Sequence, residues 1–381
     1  MGELFDKLTN ANALYSAYTQ AKRNSDWKSS VQKYGMNVLL NILHTQRELR
    51  TGEYRQMPFV EFTLHERGKT RRIKSLHIRD RVIQRALCDQ VLIPSLTPCL
   101  TYDNGASIKG KGITFTRNRF KAHLEKFYRQ HGRDGYILKL DFSKYFDNID
   151  HAKIKALIAE KVDDPLAMRL IEDLIDSFKL DVSALTDEER EALKTTPVNL
   201  LTLPRSEEGR HLLSRSVGIG SQISQVIGIF LPNKIDNAVL SVPGVFSHDR
   251  YMDDSMTIAH DKAALETALD RIRAIAKELG IFINERKTAI IPLRAGFTFL
   301  QIRYRMLESG RIIQKLGPQV FYREQRKLRV YAGMLADGRL TRRDVTTFIQ
   351  SWYGNAKHFH NHRKLRKTVG VYNNLFLNNF A

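Results

Sequence analysis

Apolar residues recur at helical spacing through "MNVLLNILHTQRELRTG", and Gly52 marks the stop. The next stretch, "FVEFTLHERGKTRRIKSL", alternates apolar and polar residues on both sides of a glycine turn and predicts a β-hairpin. "RDRVIQRALCDQVLIPSL" then predicts a helix ended by Pro94, "GYILKLDFSKYF" a strand running into a turn, and "IDHAKIKALIAEKV" a helix. From about 179 to 216 the chain is polar and charged without a sustained period. This reads as a surface insertion, with a capped helix, "TDEEREAL", starting at Thr186. Periodicity returns with "IGSQISQVIGIFLPNKIDNAVL", one helix after a glycine turn. "VFSHDRYMDDSMTIAH" predicts two strands around Asp253 and Asp254, followed by an amphipathic helix, "DKAALETALDRIRAIAKELG", capped by Gly280. A last strand and turn, "IFINERKTAIIPL", precede a tail read as two or three helices. This order describes an α+β domain with helices on one face of an antiparallel sheet, and no internal repeat points to a solenoid.

Charge changes the picture. The 381 residues carry 61 Lys plus Arg against 41 Asp plus Glu, a formal net charge of +20. That excess favours a polyanionic partner. A membrane is the rival, but no run of 18 apolar residues and no basic amphipathic anchor is present. The first residues, "MGELFDKLTN", lack a signal-peptide pattern, and Asp6 stands where a myristoylation site wants Ser or Thr. Cys88 and Cys99 have no ligand-spaced partner and read as buried thiols of a cytoplasmic protein. From Gln301 onward the tail holds 16 basic and 4 acidic residues, with Tyr304, Phe321, Tyr322, Tyr331, Trp352, Tyr353 and Phe359 among them. Basic residues interleaved with aromatics suit a nucleic-acid surface.

Two short stretches carry candidate chemistry. In "LKLDFSKYFDNIDH", Lys139, Asp141 and Ser143 share one strand face while Leu138, Leu140 and Phe142 share the other, so Asp141 ends an apolar strand. Asp147 and Asp150 fall on the following turn, where aspartate commonly caps. In "SHDRYMDDSMTIA", Asp253 and Asp254 sit in the middle of a segment that otherwise reads as a buried strand pair. If the two strands are neighbours, three carboxylates meet at one sheet end. Such a cluster repels itself unless cations enter, and hard divalent ions take oxygen ligands.

Four segments, "LKLDFSKYF" (138–146), "GIGSQISQ" (218–225), "YMDD" (251–254) and "INERKTAI" (283–290), come in the order of the reverse transcriptase palm motifs. The similarity runs from "TGEYRQMPF" to "FIQSWYGNAKHF", and it most resembles prokaryotic enzymes of group II introns, retrons and diversity-generating retroelements. The resemblance implies a right-hand polymerase: an N-terminal extension and fingers in residues 1–135, palm in 136–300 and a basic helical thumb in 301–381. It implies catalytic roles for Asp141, Asp253, Asp254 and Lys287, with two Mg²⁺ ions (or Mn²⁺ in their place) on the three aspartates and the Phe142 carbonyl. Lys69 and Arg71 would grip the triphosphate, Arg72 pointing to the other face. Phe146 falls at the steric-gate position, and Ile219, Gly220 and Gln225 line the nascent base pair. "NGASIKGKGI" (104–113) is expected to touch template backbone, and Arg79, Asp80 and Arg81 to form structural ion pairs. Implied partners are a template RNA (a dedicated non-coding RNA), the RNA–DNA duplex, dNTPs, and an accessory protein or second copy, in a prokaryotic cytoplasm.

Departures are informative. Most reverse transcriptases carry Gln-Gly, three variable residues and Ser-Pro; here Ile219 replaces the Gln and Gln225 the Pro. The same variation is typical of diversity-generating retroelements, but the insertion is not, and such differences also suit antiviral-defence enzymes. Gln301 stands where the primer-grip motif usually has Gly. Rival readings are an RNA-directed RNA polymerase, a nucleotide cyclase palm, and an inactive RNA-binding scaffold. Phe146 and Tyr251-Met252 weigh against the first, and the basic tail against the second. The intact aspartates and Lys287 weigh against the third.

Overall fold

A computed structural model describes residues 2–66 and 68–377. Helices Glu3–Thr9, Ala11–Ala21, Ser29–Met36 and Val38–Thr51 open the chain, and Gly52 ends the fourth in the left-handed conformation. The predicted hairpin follows: β1 (Val60–Glu66) pairs antiparallel with β2 (Lys69–Ser75) around Gly68. The next helix does not stop before Pro94. Its regular part, Ile78–Leu87, passes into a π-helical turn, Cys88–Leu92, and resumes at Ile93–Leu96. The wider turn, closed by Ile93 N–H onto the Cys88 carbonyl, carries the chain past Pro94, which has no N–H for the regular ladder. Cys88 is buried there, and burial pushes its thiol up; Cys99 is only partly buried.

β3 (Tyr136–Leu140) starts the central sheet. The insertion is more organised than its polar sequence suggests. β4 (Leu180–Asp181) and β5 (Leu212–Leu213) pair, Leu180, Val182, Val198 and Leu200 form a small core, and Thr186 closes a capping box with Glu189. The insertion docks on the turn after β3: Asn148 and Val198 exchange hydrogen bonds of 2.9 and 2.7 Å, and Asp147 accepts the Leu200 N–H. His151, 1 % exposed, donates from Nε2 to the Ser216 carbonyl at 2.6 Å. Burial lowers the His151 pKa from its usual 6.5. The unfolded chain therefore takes up a proton more readily than the folded one, and stability is lost as pH falls below about 6.5. Thermal melts from pH 7.5 to 5.5 should show a shallower decline in a His151→Gln variant than in the wild type.

The segment read as one helix after Gly220 is two, Gln222–Phe230 and Asn233–Leu240, because Pro232 lacks the N–H that the Gly228 carbonyl would need; Tyr145 donates its hydroxyl there instead, at 3.0 Å. β6 (Val245–Tyr251) and β7 (Asp254–Ala259) form the expected hairpin. Helix Lys262–Leu279, capped by left-handed Gly280, leads to β8 (Ala289–Pro292). The sheet order is β6-β7-β3-β8 with every pairing antiparallel. Leu138 and Leu140 pack into a core with Ile223, Ile227, Leu265 and Ile272. Ile137, Met256 and Ile258 pack on the other face against Phe120 and Phe127 of helix Ile113–His131 and against Phe297 and Phe299. Both faces of the sheet are thus covered.

The tail does not begin as a helix. β9 (Phe297–Phe299), β10 (Ile302–Met306) and β11 (Ile312–Leu316) form a three-stranded sheet across the boundary expected at residue 300. Alternate burial along β10, with Tyr304 wholly inside, is a period-two signal that the high charge had obscured. Three helices follow, Pro318–Ala336, Arg342–Ala356 and His362–Phe376. Of the seven aromatics expected on a nucleic-acid surface, Tyr304, Phe321 and Phe359 are buried, Tyr331 and Trp352 are partly buried, and only Tyr322 and Tyr353 are exposed. Among the described residues no helix is long and apolar enough to cross a membrane.

Leu300 and Gln301, which join β9 to β10, both have positive φ, 47° and 67°. A two-residue hairpin turn of this kind favours glycine. Leu300 is buried and fixed; Gln301 is exposed, so Gln301→Gly should raise stability by about 0.5–1 kcal/mol in urea unfolding.

Candidate active site

The last pair of the β3–β7 ladder is Leu140 with Ser255. One step further along each strand come Asp141 and Asp254, so the sheet places these two carboxylates side by side. Asp253 lies in the turn between β6 and β7, after Met252, whose φ of 57° is left-handed. The stretch after β3 is pinned by the segment leading to β8: Asn284 N–H donates to the Asp141 carbonyl at 2.8 Å and Ser143 N–H to Phe282 at 2.7 Å. Thr288 Oγ1 accepts the Asp141 N–H at 3.4 Å. Phe142 is buried beside them and bridges to Ile283.

Burial and the neighbouring Asp253 and Asp141 carboxylates push Asp254 up to about 6. Asp253 is raised as well, first by burial and then by Asp141. Lys69 and Arg71 offset this for Asp253, and Lys139 and Lys69 for Asp254. Lys287 places Nζ 3.5 Å from Asp141 Oδ2 while its own side chain is 64 % exposed. Neighbouring carboxylates that stay raised despite Lys69, Arg71 and Lys139 are donors suited to hard divalent cations. The three aspartates do not close to a single tight cluster. Among the described residues, the group whose ligand atoms all lie within 4.8 Å is Asp103, His123 and Asp249. That group's ligand atoms are already engaged within the protein. Arg119 Nε reaches Asp103 at 2.6 Å, its Nη2 donates to His123 Nε2 at 3.2 Å, and His123 Nδ1 donates to buried Asp249 at 2.9 Å. It ties helix Ile113–His131 to β6 and reads as structural.

Lys69 and Arg71, which act on Asp253, share one face of the hairpin. Arg71 pairs across from Leu64 and Lys69 from Glu66, sharing a face with Phe62 and Ile73, whereas Arg72 turns away to Glu61 at 2.7 Å. Gly218 to Ser221 lies against the base of β2: the Ile219 carbonyl accepts Lys74 N–H at 3.2 Å. Gly220, at φ 122°, has a backbone conformation that a side chain would strain, and a Cβ there would sit tightly against Ile73 and Lys74, both within 3.3 Å. Gln225 is exposed and accepts from Ser107 Oγ at 3.4 Å. It lines, with Gln222, Lys109 and Arg81, a groove of about 920 Å³ that does not include the aspartates. Phe146 is half-buried with its ring against Gly228; a Cβ there would lie 2.9 Å from the ring. Gly228 was not singled out by sequence, although a glycine inside an apolar helix is itself a signal of close packing.

The ion pairs expected at the start of helix Ile78–Leu87 form at Arg79, whereas Arg81 finds a carbonyl instead. Asp150 caps helix His151–Ala159. Arg79 pairs with Glu48 at 3.1 Å, Asp80 accepts from Tyr54 at 3.0 Å and from Met57 N–H at 3.1 Å, and Arg81 donates to the Ala21 carbonyl. The 104–113 loop attaches to β6, Gly105 N–H donating to the Arg250 carbonyl at 3.0 Å.

No curated protein matches the chain. The family described as "Reverse transcriptase (RNA-dependent DNA polymerase)" matches residues 63–304, a span that holds every candidate residue named above from Lys69 to Lys287. The match covers more than half of the sequence, and the chain belongs to the reverse transcriptase family: an RNA-directed DNA polymerase, hence a nucleotidyltransferase, with the right-hand polymerase fold.

Proposed function

We propose that Asp141, Asp253 and Asp254 are the catalytic carboxylates and that, with the Phe142 carbonyl, they hold two Mg²⁺ ions, for which Mn²⁺ can substitute. The observation that carries this reading is the meeting of Asp141 and Asp254 at the ends of neighbouring strands, with Asp254 pushed up to about 6. When bound, the ions supply activation of the primer 3′-hydroxyl and charge neutralisation at the leaving pyrophosphate. The chain's residues do the rest. Lys69 and Arg71 bind the triphosphate from the hairpin, and charge-assisted hydrogen bonds make that grip strong. Lys287 is exposed enough to leave Asp141 and protonate the departing pyrophosphate. Phe146 lies under the sugar, where a ring meets a 2′-hydroxyl. Ile219, Gly220 and Gln225 border the nascent base pair, and an apolar Ile219 offers no side-chain hydrogen bond there.

In this reading residues 1–135 are fingers and 136–300 palm, with the thumb helices starting near 317 because β9–β11 form one sheet. The groove bearing Lys109 and Arg81 is a path for template RNA toward the site. The setting is the cytoplasm of a prokaryote, with a dedicated non-coding RNA as template, in sequence diversification or antiviral defence. Sequencing of cDNA co-purified from cells separates the two roles: substitutions at adenines mark diversification, and uniform copies of one structured RNA mark defence.

The activity itself is tested by extension of oligo-dT on poly-rA with dTTP and Mg²⁺, together with self-primed synthesis on the co-purified RNA. The wild type should make cDNA in at least one assay and an Asp253→Ala, Asp254→Ala variant in neither. Equal synthesis by both proteins would refute the site.

A further inference from the structure

We infer that Arg250 is a positioning residue that fixes the Asp253–Asp254 turn relative to the platform under Phe146, an inference that rests on the site proposed above. Arg250 lies on β6 just before Tyr251, is 2 % exposed, and is among the largest fully buried side chains. Its Nε donates to both carboxylate oxygens of Asp236 at 2.8 Å, and Nη2 lies 2.7 Å from Oδ2. Asp236, on helix Asn233–Leu240, is wholly buried and also accepts from His248 Nε2 at 3.0 Å. The remaining donors of the guanidinium go to two backbone carbonyls. Nη2 donates to Ile229 at 2.7 Å, and Nη1 to Met252 at 3.1 Å.

Those two carbonyls are the reason for the inference. Met252 is the left-handed residue of the turn that presents Asp253. A residue with a Cβ keeps such a conformation only where its surroundings hold it there. Ile229 follows Gly228, the residue on which the Phe146 ring rests, and it lies in the last turn of its helix, where carbonyls lack helical partners. One rigid planar fork therefore spans the catalytic turn and the sugar platform, while Asp236 fixes the fork's orientation. The Arg250 backbone adds a third tie, donating to the Asp103 carbonyl at 3.2 Å. Lysine can keep the ion pair with Asp236, but a single ammonium cannot reproduce the fork to both carbonyls. His248 shares Asp236 and reaches Thr257 at 2.8 Å, and neither of its contacts is with the turn.

This difference supplies the test. Full-length wild type, Arg250→Lys, His248→Gln and Asp253→Asn are compared for melting temperature and for single-turnover incorporation of dTTP and UTP on a poly-rA template. Arg250→Lys should slow dTTP incorporation by about tenfold to a hundredfold with the KM for dTTP little changed. It should also lower the dTTP-to-UTP preference several-fold, because the turn and the ring no longer keep their spacing. His248→Gln should lower the melting temperature while retaining rate and preference. Should Arg250→Lys fail to fold, Asp236→Asn, which keeps the acceptor shape but loosens the fork, carries the same expectation. Unchanged rate and preference in the Arg250 or Asp236 variant would overturn the inference. So would matching losses in His248→Gln at an equal drop in melting temperature. Full activity in Asp253→Asn would overturn the site itself and the inference with it; an inactive Asp253→Asn beside a fully active Arg250→Lys would overturn the inference alone.

Discussion

Asp254→Asn should lower single-turnover incorporation on an RNA template by about 100- to 1000-fold and, in metal-free buffer at neutral pH, make the protein more stable. The two effects share one cause. Burial and the Asp253 and Asp141 carboxylates raise the Asp254 pKa to about 6, from a usual 3.8. A carboxyl group whose folded-state pKa is raised binds its proton more tightly in the native chain. Stability is therefore lost as pH climbs from 3.8 to about 6, and the loss is complete at neutral pH. Asparagine removes that ionisation, and the expected gain is about 1–2 kcal/mol after discounting for partial exposure. Differential scanning fluorimetry with and without Mg²⁺ checks it. The wild type should be stabilised by the ion far more than the variant, since the repulsion that destabilises the metal-free protein is what attracts the cation. A variant both inactive and less stable would mean that Asp254 is a structural carboxylate.

The second large effect concerns the sugar. Phe146→Ala should admit ribonucleotides, reducing discrimination between dTTP and UTP by about 10- to 100-fold with little loss of dTTP incorporation. The ring packs between Tyr145, at a centroid distance of 5.3 Å, and Gly228. Gly228→Ala presses from the opposite side: its new methyl would lie 2.9 Å from the ring and push it toward the sugar. That variant should lower incorporation of both nucleotides. Unaltered discrimination in Phe146→Ala would remove Phe146 from the site.

Much of this site could be read from the sequence because its parts are local. Tyr251 to Asp254 sits between two stretches short enough to read as strands, so a hairpin tip carrying two aspartates follows from local sequence. Asp141 ends an apolar strand, and the Arg71–Arg72 alternation fixes which guanidinium faces the site. What stayed hidden is long-range or masked by composition. That β7 lies between β6 and β3 depends on the β3–β7 pairing, whose strands are more than a hundred residues apart and which no local pattern encodes. The β10–β11 hairpin was concealed by arginines on its solvent face. Proline 94 read as a stop because a π-turn has no sequence period of its own. Arg250 has no distinguishing mark in the local sequence, and only the fold shows its whole side chain enclosed against Asp236.

Counting Mn²⁺ ions by electron paramagnetic resonance, with a primer on RNA template and a non-hydrolysable dNTP, tests the three-aspartate site most directly. The wild type should bind two more ions than an Asp141→Asn, Asp253→Asn, Asp254→Asn variant of equal or higher melting temperature. Equal stoichiometry in the two proteins would contradict the site.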